Sequence, residues 1–152
     1  MTAFTPPAGP QGPQGPPGQP ILIAQFQRTT DFTIATNTET MVLTTGLLNY
    51  SANRCYEIRA SVEVWCTTTA ARVLARILNV QDGQRVNLVD TILPTQNVRT
   101  RYNAPFIYRP GAADTSREFQ ITAQAATNVQ IGVGGPAPAG ALLQVWDYGL
   151  GF

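Results

Sequence analysis

Two glutamates, two cysteines and a set of arginines are the residues of this chain whose chemistry is worth testing against their spacing. Glu57 and Glu63 stand on one alternating run, "RCYEIRASVEVWC". As a strand, that run places both carboxylates on one face about 20 Å apart. A sugar-cleaving acid pair needs its carboxyls within roughly 10 Å of each other, so these two cannot serve one scissile bond. Cys55 and Cys66 bound the same run. Their odd separation sends the thiols to opposite faces, and their backbones lie more than about 30 Å apart if the strand is unbroken, far beyond the reach of a disulfide. They read as two buried reduced thiols or, alternatively, as a source of an interchain bridge. The chain has no histidine, which removes the commonest general base and the commonest metal ligand together. Ser-His-Asp and Cys-His catalysis are thereby excluded.

Other suggestive stretches fail on their details. "GVGGPAPAG" at 132–140 is glycine-rich but lacks the Lys-Ser/Thr ending and following helix of a phosphate-cradling loop, so it reads as a turn. Asn49-Tyr50-Ser51 matches a glycosylation acceptor by chance, since "MTAFTPPAGP" has neither the charged region nor the apolar stretch of a secretory signal. Asp82, Asp90, Asp114 and Asp147 form no calcium-type loop. No catalytic residue, cofactor or metal is therefore expected, and the chain reads as non-enzymatic. One binding candidate survives. Arg72, Arg76, Arg99, Arg101 and Arg109 recur around Tyr102, Phe106 and Tyr108, and Arg with Tyr makes large contacts at modest entropic cost. Arg99, Arg101 and Tyr102 are the candidate ligand or host contact, a glycan being one such ligand; an outer strand carrying salt bridges between subunits is the plainer reading.

The composition limits the partners. Charged residues are 12% of the chain and the net charge is +1, so no long-range field steers it to nucleic acid or to an anionic membrane. No apolar run reaches the length of a membrane span. Synthesis in the cytoplasm is expected.

The elements that must position these residues are strands. "ILIAQFQR" alternates Ile21, Ile23 and Gln25 against Leu22, Ala24 and Phe26; "DFTIAT" puts Phe32 and Ile34 on one face; "TMVLTT" gives a third short run. The run from Cys55 to Cys66 points Tyr56, Ile58, Ala60, Val62 and Val64 inward and Glu57, Arg59, Ser61 and Glu63 outward. "ARVLARILNV" is rich in helix formers, yet "QDGQ" behind it, with Asp82-Gly83 at its tip, predicts a hairpin. Five further runs come after it, ending in "LLQVWDYGLGF", which is apolar on both faces as for a doubly buried strand or a subunit interface. Eight to ten short strands and no long helix predict an all-β antiparallel β-sandwich of jelly-roll type.

Ahead of it, "GPQGPQGPPGQP" carries Gly9, Gly12, Gly15 and Gly18 at a strict period of three. Only a hydrogen side chain fits where three chains meet on a collagen axis. The unbroken period favours that reading over a Pro/Gly-rich linker. The chain thus divides into three regions: a leader at 1–8, in which Phe4, Pro6 and Pro7 form an extended anchor for a partner protein; a collagen-like stalk at 9–20, spanning roughly 35 Å; and a β-sandwich head at 21–152. So short a stalk cannot hold three chains unaided, because ordering costs roughly 1–2 kcal/mol per residue. The head must clamp it, and a homotrimer is expected.

This arrangement resembles the collagen-like stalks with trimeric jelly-roll heads, similar to tumour necrosis factor and complement-type globular heads, of bacteriophage fibres and bacterial spore-surface proteins. "YEIRASVEVWCTTTAARVLARILNVQDGQRV", residues 56–86, looks like the strand, Arg-rich strand and Asp-Gly turn of phage versions. The Gly-Gly-x-Tyr strand opening frequent in that group is not present. The resemblance implies a structural virion protein, a phage head fibre or capsid decoration, attached to a capsid or other virion protein through its leader. Its alternatives are a receptor- or glycan-binding tip and a bacterial surface collagen-like protein.

Overall fold

The structure is a computed structural model and describes residues 19–28, 30, 32–34, 37–66, 71–93, 99–125, 129–131 and 140–150. The anchor residues Phe4, Pro6 and Pro7 and the glycines Gly9, Gly12, Gly15 and Gly18 lie outside these.

Ten strands are described: β1 (Ile21–Arg28), β2 (Phe32–Ile34), β3 (Thr40–Tyr50), β4 (Arg54–Cys66), β5 (Ala71–Asn79), β6 (Arg85–Leu93), β7 (Thr100–Tyr108), β8 (Thr115–Ala125), β9 (Val129–Ile131) and β10 (Ala141–Leu150). All pair antiparallel, as the all-β reading expects. One sheet runs β1-β10-β4-β7, with β9 and then β2 continuing from the far part of β4; the other runs β3-β8-β5-β6. With the short β2 and β9 set aside, the eight long strands change sheet at every connection except the β5–β6 hairpin, which is the order of a jelly roll, two interleaved Greek keys closed face to face. The topology itself carries this assignment.

Alternation fills the space between the sheets. Tyr56, Ile58, Ala60, Val62 and Val64 of β4 point inward and are buried, as do Val73, Ala75 and Ile77 of β5 and Leu143 and Val145 of β10. At about 25 cal/mol per Å², each of the larger of these side chains contributes roughly 1.5–3 kcal/mol. This core also sets β5 as a strand in spite of its helix-forming composition, because only period-two spacing buries Val73, Ala75 and Ile77 together.

Three local readings change. β1 does not alternate throughout: a bulge between Leu22 and Ala24 splits its expected apolar face, leaving Leu22 opposite Trp146 while Ala24 and Phe26 turn to the core. β3 does not stop at Thr45. It continues to Tyr50 through two register shifts against β8, and Gly46 takes a φ of 63° at the second, a left-handed conformation that glycine adopts without steric cost. Because the shifts bury Val42, Thr45 and Tyr50 at unequal intervals, no period marks the strand. The β5–β6 hairpin closes where "QDGQ" stands, but its loop is longer than a two-residue turn: Asn79 N–H donates to Gln84 O (2.9 Å) and Gly83 N–H to Asn79 O (2.8 Å).

The antiparallel order gives the sandwich two unlike ends. At one, the root, β1 begins and β10 finishes, and the turns 51–53, 80–84 and 109–114 return the chain. These turns are tied together: Asn53 N–H donates to Gly111 O (2.6 Å) and Ala52 N–H to Asp114 Oδ1 (2.8 Å). The connections between β1 and β3, β4 and β5, β6 and β7, and β8 and β10 all leave from the other end.

Five aromatic rings plug the root. Tyr50 lies edge-on to Tyr56 (4.9 Å between centroids), Tyr108 (5.1 Å) and Phe119 (5.8 Å), and Phe119 meets Phe106 (5.2 Å) and Tyr108 (5.5 Å). Ser51 N–H donates to the Tyr56 hydroxyl (2.9 Å), and the Tyr108 hydroxyl bonds Thr115 Oγ1 (2.7 Å). The Tyr50 hydroxyl is buried with no partner among the described residues, and burial raises its pKa. An unpaired buried hydroxyl is a cost that phenylalanine does not carry. Tyr50→Phe is therefore expected to leave stability unchanged or raise it by about 1 kcal/mol, while Tyr108→Phe lowers it by about 1 kcal/mol. Urea midpoints of the two variants check this, and a Tyr50→Phe variant weaker than Tyr108→Phe overturns it.

Candidate functional site

The outer face of the larger sheet collects most of the polar chemistry. On β4 the outward residues are Glu57, Arg59, Ser61 and Glu63; across the pairing register Glu57, Arg59 and Ser61 meet Trp146, Gln144 and Leu142 of β10 on one side, and all four meet Ile107, Pro105, Asn103 and Arg101 of β7 on the other. Between these rows lies a shallow groove of about 430 Å³, lined among others by Arg59, Ser61, Arg101, Asn103, Leu142 and Gln144.

Both carboxylates on this face are paired with arginine. Arg59 Nε donates to Glu57 Oε1 (2.6 Å), its Nη2 to the Tyr148 hydroxyl (2.8 Å), and its guanidinium covers the Trp146 ring at 4.6 Å. Tyr148 in turn donates to Glu57. Burial pushes the Glu57 carboxyl up, but the hydrogen bonds from Arg59 and Tyr148 outweigh it, and the group titrates below the usual carboxylate range. Glu63 is held in the same manner: Arg99 Nη1 donates to it at 3.2 Å and Arg101 Nη2 stands 3.8 Å away, while Arg101 Nη1 donates to Ser61 Oγ (2.7 Å). Ser61, expected outward, is nearly buried beneath that arginine. Arg99 also covers the Trp65 ring at 5.0 Å. Each glutamate is engaged by arginine and neither faces the other.

Of the candidate ligand contacts, Arg99 and Arg101 come together around Glu63, but Tyr102 does not join them. Neighbouring residues of a strand face opposite ways; Tyr102 pairs with Val62 and packs against the core. The wider cluster also separates. Phe106 and Tyr108 belong to the core, and Arg72 sits on the other sheet, paired with Asp90 at 3.0 Å. Among the described residues, salt bridges also join Arg54 to Asp147, Arg85 to Glu39 and Arg117 to Asp82. Cys66 is buried, with its Sγ 3.9 Å from Leu93 O, and Cys55 is half-exposed. Cys55 differs from the expected burial because its parity along β4 sets it on the outer face with Glu57.

No family model matches the chain, and no curated protein matches its sequence. Its fold is similar to chains of viral structures. A chain of the infectious bursal disease virus Gx strain aligns with 94% of this chain and 40% of its own length, at 12% identity and a TM-score of 0.49. For the VP2 subviral particle of infectious bursal disease virus the figures are 93%, 37%, 12% and 0.49. For the T13 viral particle of the same virus they are 97%, 40%, 10% and 0.44. The chain thus spans about two fifths of the length of these solved chains.

Among the described residues, no group of three His, Cys, Asp or Glu side chains is placed to hold a metal ion, and no helix is long and apolar enough to cross a membrane. What this face offers is a broad surface on which both carboxylates are paired with arginine and one arginine is in excess. Sequence reasoning found its charged residues but missed Trp146 and Tyr148 as their partners. The signal was present in the two-faced apolarity of "LLQVWDYG", which places Trp146 and Tyr148 on the same face as Gln144.

Proposed function

We propose that this chain is a homotrimeric structural protein of a virus particle, a bacteriophage head fibre or capsid decoration that is held by its leader and displays the jelly-roll head. One observation carries the reading: β1 starts at Ile21, three positions after Gly18, the last glycine of the Gly-x-y run, so no spacer separates the triplets from the sandwich. A tether would be served by a flexible junction, whereas a triple helix needs its chains delivered in fixed stagger by the domain joined to it. The pairing of both outer-face glutamates with arginine agrees with a display or assembly role, since neither is left free as a general acid or base. The order of leader, triplets and jelly roll is also that of the phage proteins the sequence resembles. The receptor-tip reading is not favoured, because its three candidate residues divide between the two faces of the larger sheet.

The test is removal of residues 1–8 from the full chain. The expected result is loss of binding to purified capsid shells by at least about 100-fold with the trimer intact, since an extended apolar peptide at each of three sites binds by avidity. Shell binding that survives the deletion overturns the anchor, and a monomer or dimer for the intact chain in sedimentation overturns the trimer.

A further inference from the structure

Of the ten large apolar residues exposed among the described ones, six lie on the larger sheet toward the root, and Met41, Leu47, Val80 and Ile92 are off that sheet. Ile21 (64% exposed), Leu22 and Ile23 of β1, Ile107 of β7, and Tyr148 and Leu150 of β10 all belong to the larger sheet. In register, Leu22 stands opposite Trp146, Trp146 opposite Glu57 and Glu57 opposite Ile107, so a band crosses the whole outer face from one edge strand to the other. The one charge in it, Glu57, is already neutralised by Arg59 and Tyr148. β1 and β7 are also edge strands, each with one side of its backbone unpaired by its sheet, and exposed apolar edges are normally covered.

We propose that this band is covered by two further copies of the same chain, with the outer faces of three larger sheets turned toward a common threefold axis at the root. This inference rests on the trimer reading above and assigns its surface. The occupant is set by chain length. Three residues reach at most about 11 Å, so Ile21 of each copy lies within that distance of where Gly18 leaves a collagen axis. Three Ile21–Ile23 segments are thereby brought together beside the axis, and the face continuous with them is the one bearing Trp146 and Ile107. Four strands at about 4.8 Å spacing give a face about 15 Å wide, and three such faces close a triangular prism with β1 of one copy beside β7 of the next. The contact is heterologous and closes by rotation. Farther from the root, the Glu63–Arg99–Arg101 cluster lines the same prism, each copy bringing two arginines around one glutamate.

Leu22→Glu and Ile107→Glu in the full chain test it, with Ile92→Glu as control, since Ile92 is equally exposed (58%) but sits on β6 of the other sheet. The expected result is a trimer dissociation constant raised about 30-fold or more by either of the first two and left within about 2-fold by the control, in sedimentation across a dilution series. Cys66, fully buried, stays unreactive to a thiol reagent in any variant that has kept its fold. If all three variants dissociate alike with Cys66 protected, the interface is elsewhere and this inference fails while the trimer stands. If the unsubstituted chain is not a trimer, the reading beneath it fails first.

Discussion

Replacing Phe119 with alanine is expected to destabilise the sandwich by about 3–5 kcal/mol. Phe119 is fully buried on β8, between β3 and β5, and its ring meets Tyr50, Phe106 and Tyr108 edge-on. Each such ring pair adds about 0.5–1.5 kcal/mol beyond the area it buries. The gap cannot close easily, because the neighbouring rings are themselves pinned: Tyr56 accepts from Ser51 N–H, and Tyr108 is bonded to Thr115. Two-state urea unfolding should show a lower midpoint with an unchanged slope. Ile92→Ala, at an exposed position, should stay within about 0.5 kcal/mol. A loss below about 1.5 kcal/mol for Phe119→Ala would mean that the root is not part of the cooperative core.

The second large effect concerns assembly. Gly12→Val with Gly15→Val in the full chain puts side chains where a collagen axis admits only hydrogen. If three stalks wind together, they hold three heads at high local concentration, and losing them should raise the trimer dissociation constant by about 10²–10⁴-fold. The heads themselves should keep their unfolding midpoint. Sedimentation over a dilution series reads the first quantity and urea the second. An unchanged dissociation constant would reduce the triplets to a tether and leave the head alone responsible for association.

How much of this was readable beforehand depended on whether period-two spacing survived in each strand. β4 keeps it, so the sequence assigns its inward residues Tyr56, Ile58, Ala60, Val62 and Val64 correctly; β5 keeps it too, and the structure adds that Val73, Ala75 and Ile77 are its inward set. β1 and β3 break it at bulges, where an extra residue exchanges the faces, so Leu22 was grouped with the wrong neighbours and β3 was cut short at Gly46. The outer face was half readable. Glu57, Arg59 and Glu63 are local to one strand, but their partners Tyr148, Arg99 and Arg101 come from β10 and from the region of β7, and no spacing within one stretch encodes a pairing between distant strands. Tyr102 was grouped with the arginines because adjacency in sequence was read as adjacency in space, which a strand forbids.

The unlike ends of the sandwich have a consequence for how such a molecule can diversify. The aromatic plug and the cross-tied turns lie where β1 begins, while the connections between β1 and β3, β4 and β5, β6 and β7, and β8 and β10 emerge at the opposite pole. Connections tolerate insertion far better than the elements they join. Foreign epitopes spliced into the β4–β5 or β6–β7 connection would therefore leave the sandwich at the pole opposite the start of β1, and the same separation lets a lineage vary one pole while keeping the other constant.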